Sequence, residues 1–304
     1  SMVHWAFVGS LPPMSETEWT AEFEHYQQSP EFKEVHGHFE LEEFKSIFWW
    51  EFSHRMFGRM IGLVFIFPFL FFLWKKYIPK KLLPQFLIIL GLGTLQALLG
   101  WFMVKSGLID VPRVSHYRLA AHLVTAFITC AYIFWVTLNY KDFGKLNRYE
   151  SPFRNQLIVF GIFLLIQIIF GAFVAGLRAG WIHNTWPLMD GALIAPSVTT
   201  LDPTWLNFFE GKSGVQFVHR TLGLIVLTFG IWLGWGSKVR FDSNLRNPVQ
   251  LLSMVIFMQF LLGVSTLLFE VPISLAVIHQ VFALIALLTL VWAWHRAIFI
   301  EAPH

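Results

Sequence analysis

Four histidines stand at matching places in two halves of this chain. The first half reads Phe52-Ser53-His54-Arg55 with Gly58, and the second reads Phe217-Val218-His219-Arg220 with Gly223. Downstream, Gln96, Leu98, Leu99 and Gly100 correspond to Gln259, Leu261, Leu262 and Gly263, and Val111-Pro112 corresponds to Val271-Pro272. The pattern closes on His122, Val124 and Ala126 against His279, Val281 and Ala283, at identical H-x-V-x-A spacing. Two histidines per copy, at similar depth on different apolar segments, could face each other across a helical bundle and ligate a haem iron axially. A single histidine in an apolar helix is more often a hydrogen-bonding tie between helices. Four in duplicated register point to function instead, because polar side chains are costly in lipid. Zinc fits less well: no Cys or carboxylate cluster accompanies the pairs, and two ligands fall short of a closed zinc site.

The halves differ where chemistry would be expected to differ. Glu51 stands three residues before His54, whereas Gln216 stands three before His219; Arg118 and Arg59 are matched by Leu275 and Leu224. On a helix the i, i+3 spacing puts Glu51 on the face that carries His54, where a carboxylate could shuttle protons. The plainer roles are an ion pair with Arg55 one turn on, or a place at a helix N-terminus where the dipole favours negative charge. Arg55, Arg220, Arg59, Arg113 and Arg118 are candidate partners for haem propionates through charge-assisted forks. Snorkelling to a membrane interface is the alternative for each.

The elements that must position these residues follow from composition. The chain of 304 residues is 56% apolar, 17% aromatic and 13% charged, which describes a polypeptide dissolved in lipid. Seven apolar stretches, near 52–73, 84–104, 117–138, 156–177, 218–236, 248–268 and 273–294, have the length a membrane-spanning helix needs. The fold class is therefore all-α and polytopic. Lys75, Lys76, Lys80, Lys81, Lys141, Lys145, Arg148, Arg154, Lys238, Arg240, Arg246 and Arg296 collect on one side and mark it as the inner face. Segments 1–50 and 178–216 then lie outside, in a periplasm or intermembrane space, together with all four histidines. The net charge of +3 gives no support to a nucleic-acid partner.

The residues carry a resemblance over essentially the whole chain, which is similar to the heme A synthase family in the branch with a long first outer loop. The motifs are Trp50-Glu51-Phe52-Ser53-His54-Arg55 with Gly58-Arg59, Leu98-Leu99-Gly100-Trp101 through Leu108, Pro112-Arg113-Val114-Ser115, and Tyr117-Arg118 through His122. Gly171-Ala172-Phe173-Val174-Ala175-Gly176-Leu177, Gln216-Phe217-Val218-His219-Arg220 and His279-Gln280 complete the set. The resemblance implies two pseudo-symmetric four-helix bundles, residues 1–150 holding the substrate heme O and residues 151–304 holding a haem b on His219 and His279. His54 and His122 would flank the substrate porphyrin, and Glu51 matches the family's mechanistic glutamate. The implied reaction oxidises a porphyrin methyl group to a formyl group through a hydroxymethyl intermediate, with oxygen from water or dioxygen, for cytochrome oxidase assembly. The implied partners are a heme O synthase, an electron donor such as a ferredoxin, the lipid of an inner membrane, and a second copy in a homo-oligomer.

Only three of the four helices expected in the first half are visible, so the resemblance implies a further helix upstream of Ser1. Cys130 is the sole cysteine, expected as a small buried hydrophobe in an apolar helix. His116 is turned about 120 degrees from His122, His295 lies at the inner end, and His4, His25, His36, His38, His183 and His304 are expected on solvated surface. Two other classes stay open beside an enzyme with unequal sites: a transmembrane di-haem cytochrome b that carries electrons, and a haem transporter. Asymmetry between the sites favours the enzyme.

Overall fold

The structure is a computed structural model that describes residues 11–107, 114–141, 146–148, 151–240 and 243–301. Contacts divide the chain into two compact units, Ser1–Arg118 and Leu119–His304. The expectation for Arg113 falls outside the described residues.

The first unit opens with α1 (Glu16–Gln27). Ser15 starts it with a capping box: its hydroxyl accepts from the Glu18 N–H at 3.3 Å, and the Glu18 carboxylate accepts from the Ser15 N–H at 3.2 Å. One π-helical turn at Phe32–His36 leads into α2 (Leu41–Trp74), which runs 34 residues. The helix begins well before the apolar stretch expected from residue 52, because Glu43 closes a second capping box by accepting from the Glu40 N–H at 2.9 Å. Its leading turns carry Phe44 and Phe48, which pack with Trp19 and Tyr26 of α1 into a small aromatic core. Glu51 therefore sits inside a helix rather than at its N-terminus. The unit ends with α3 (Leu83–Gly107), packed on α2, and the first turn of α4 (His116–Lys141).

The second unit takes α4 from Leu119 onward, then α5 (Arg154–Gly176), α6 (Lys212–Arg240), α7 (Ser243–Leu268) and α8 (Ile273–Ile298). Sequential neighbours α5 to α8 pack in order and α5 closes on α8, making the four-helix bundle expected for this half. Its core is aliphatic and aromatic: Phe160, Leu252, Ala286, Ala293 and Ala297 are fully buried or nearly so, with Phe127 of α4 packed beside them. A short antiparallel ribbon pairs β1 (Leu146–Arg148) with β2 (Phe299–Glu301), the one departure from an all-α fold among the described residues.

Seven of these helices, α2 to α8, are long and apolar enough to cross a membrane. Ile61, Val64 and Phe67 of α2 are each more than 60% exposed, and such a face is stable against lipid tails rather than water. Cys130, expected to be buried, is exposed on α4. On a lipid-facing surface a thiol needs no protein neighbour to leave water, so burial in the core was not required of it.

Candidate functional site

In the second unit, His219 projects from α6 and His279 from α8, within electrostatic reach of each other. Each ring rests on a glycine of the preceding helix. A Cβ at Gly171 of α5 would lie 3.2 Å from Cε1 of His219, and one at Gly263 of α7 would lie 2.8 Å from Cε1 of His279. The main-chain carbonyl of Gln167 faces the His219 ring, and that of Gln259 faces His279. Nδ1 of both rings is buried and lacks a well-formed hydrogen bond. Two imidazoles held this way suit an iron that takes one nitrogen from each, so the donor set fits a bis-histidine haem.

A long connecting segment, 177–211, is tied to the start of α6. Gln216 is 2% exposed and donates to the Ala179 carbonyl at 2.9 Å and the Ile182 carbonyl at 2.5 Å. Arg220 donates to the carbonyls of Thr185 at 3.0 Å, Leu188 at 3.3 Å and, closer still, His183. Its Nε is the buried N–H that the loop leaves without an acceptor. His183 was expected on solvated surface, yet its Nδ1 meets Asp190 at 2.5 Å and its Nε2 meets Ser213 at 3.0 Å. The loop is thus knitted by polar bonds rather than by apolar packing alone.

The first unit is built differently around the matching position. Glu51 pairs with Arg55 one turn on, the plainer role available to it from the sequence. The same carboxylate also lines an open pocket of about 410 Å³ with Glu31, His36, Ile47, Trp50 and His54. His36 comes to this pocket from the π-helical turn. Its Nδ1 is 2.7 Å from the Tyr26 hydroxyl, and its ring stacks on Phe39 with centroids 4.2 Å apart. Burial, then the charge of Glu31 and its hydrogen bond to the hydroxyl, and last the charge of Glu51, push the Tyr26 phenol well above its ordinary pKa, so it stays an O–H. In the sequence His36 is at most half of a weak metal pair with His38, and the fifteen positions between it and Glu51 give no reason to join the two. A π turn ahead of a helix is the local signal that could have drawn attention to it.

Arg59 directs Nη1 at the Met56 sulfur, 3.4 Å away, and the Arg118 guanidinium lies 4.4 Å over the Phe102 ring. His122 belongs to the second unit and is half-buried on α4. His295, expected simply at the inner end, is fully buried beside Trp135 and Phe299.

A family described as cytochrome oxidase assembly protein matches residues 1–291 of the chain. The heme A synthase of Flavobacterium psychrophilum is 46% identical over 302 residues, covering 97% of this chain and 89% of that protein. The heme A synthase of Nitrosospira multiformis is 43% identical, covering 97% of this chain and 85% of that protein. The one from Wolbachia pipientis wMel is 42% identical, with 94% and 81% covered.

Proposed function

The chain belongs to the cytochrome oxidase assembly protein family, and from that premise we propose that it is a heme A synthase. It is an integral membrane oxidoreductase that converts a methyl group of its substrate heme O to a formyl group through a hydroxymethyl intermediate. The observation that carries this beyond a pair of equivalent haem sites is the asymmetry at one repeated position. Glu51 lines a pocket with His36 and His54, while Gln216 is spent on loop carbonyls.

The roles divide accordingly. His219 and His279 hold a haem b, which when bound supplies one-electron redox chemistry. The repeat in sequence carries the corresponding iron-ligand role to His54 and His122 for the substrate, within a first half of residues 1–150 and a second of 151–304. Glu51 accepts and returns protons at its carboxylate oxygens as the substrate methyl group loses hydrogen, and Arg55 orients that carboxylate. Arg220, Arg59 and Arg118 are the cations available to propionates. The distribution of Lys and Arg puts the four histidines towards the outer face of an inner membrane. Heme O arrives from a heme O synthase or from lipid, and electrons are exchanged with a donor such as a ferredoxin.

Mass analysis of haems extracted from the purified chain, co-expressed with a heme O synthase, tests the reading. Heme A or its hydroxymethyl precursor is the expected result. Haem b alone, in a protein that retains its fold, would support an electron carrier instead.

A further inference from the structure

We propose that Gln167 with Gly171, and Gln259 with Gly263, form two matching cradles that fix the ring plane and tautomer of His219 and His279. The proposal rests on the reading of these histidines as haem ligands and extends it to residues that touch no iron.

The argument starts from helix geometry. In an α-helix the carbonyl of residue i accepts from the N–H of residue i+4 and keeps a second lone pair. A side chain at i+4 stands over that carbonyl. Glycine at i+4 leaves it open, and Gln167 to Gly171 and Gln259 to Gly263 have this spacing. Into each opening comes a histidine ring: the space a Cβ would fill is 3.2 Å from Cε1 of His219 in one case and 2.8 Å from Cε1 of His279 in the other. The exposed carbonyl faces the same ring. Nδ1 of each ring is buried and short of a well-formed bond, so the carbonyl is the acceptor a small ring adjustment would engage. A hydrogen on Nδ1 leaves the lone pair on Nε2, the tautomer that binds iron, and a carbonyl partner raises its basicity.

The three atoms nearest to a Cβ at each of these glycines all belong to a histidine ring, so the missing side chain makes room for the imidazole first of all. Gly58, Gly62, Gly91, Gly93 and Gly236 meet nothing within 4 Å. Gln96 and Gly100 on α3 repeat the spacing, which marks it as part of the duplicated frame.

The test uses the whole chain purified with its haem, comparing Gly263→Ala, Gly171→Ala and the control Gly236→Ala. The readouts are haem per polypeptide, the low-spin electron paramagnetic resonance signal of the oxidised iron, and the midpoint potential. Gly263→Ala, with the tighter approach, is expected to lower haem affinity about 10-fold or more. Gly171→Ala is expected to keep haem but shift the low-spin signal and the potential, and Gly236→Ala to match the parent. If Gly263→Ala does not accumulate, Gly171→Ala decides. Wild-type signal and potential in Gly171→Ala would overturn the proposal, as would equal haem loss in all three variants. If the parent holds no bis-histidine haem, or His219→Ala and His279→Ala retain it, the haem reading itself fails and the cradles fail with it.

Discussion

Three residues before the first histidine of each repeat, the two halves of the chain put the same helical position to different use. In the second half Gln216 is buried and gives both N–H bonds to carbonyls of the connecting segment. A carboxylate has no N–H to give, so that position could not hold an ionised Glu without losing the loop. In the first half the position faces a pocket with His36, Glu31 and His54, and there Glu51 pairs with Arg55. One copy of the frame spends the position on structure, and the other keeps it for a titratable group. A duplicated scaffold can thus keep its paired histidines while a single change from amide to acid makes the two copies chemically unequal.

The largest expected effect comes from removing that acid. Glu51→Ala is expected to stop heme A formation in the extraction assay while leaving the haem b absorbance unchanged, and Glu51→Gln should do the same without emptying the space. Turnover retained in Glu51→Gln would take the carboxylate out of the chemistry and dissolve the contrast between the halves. The reciprocal change, Gln216→Glu, sharpens the contrast from the other side. It removes two donated bonds and sets a buried carboxylate against two carbonyls, costing about 3 kcal/mol or more. A lower thermal midpoint, followed through release of haem b, is the expected result; a wild-type midpoint would show that the loop is not anchored there.

The comparison also shows what a sequence can and cannot reveal. The seven spans are legible because lipid demands long apolar runs, and six of the seven helices begin within about six residues of the expected places. The exception, α2, starts at Leu41 because capping carboxylates and an aromatic stripe extend it through charged sequence that no hydropathy window would include. The four histidines and the difference between Glu51 and Gln216 are visible as a repeat. The use of Gln216 and Arg220 as loop anchors is not, since their acceptors are main-chain carbonyls some 30 to 40 positions away and carry no residue signature. The Gln-x3-Gly spacing was visible at 96 and 259, and extending it to Gln167 and Gly171 would have pointed to the ring cradles.

The smaller predictions concern how the first pocket is tuned. His36→Ala is expected to slow heme A formation about 10-fold, because it removes a polar group that lines the pocket with Glu51. His38→Ala, two positions on and exposed, should have no effect on turnover. Equal loss in both would indicate damage to the segment ahead of α2 rather than a role for His36 itself. Tyr26→Phe is the mildest change: it deletes the hydroxyl 2.7 Å from His36 Nδ1, together with its hydrogen bond to Glu31, and leaves the ring in the aromatic core, a loss of about 1 kcal/mol. If His36 works through its orientation, Tyr26→Phe should reproduce part of the His36→Ala rate loss with haem b content unchanged. If the hydroxyl only satisfies a buried ring, stability should fall slightly and the rate should not move, which would leave Glu51 as the residue that carries the difference between the two halves.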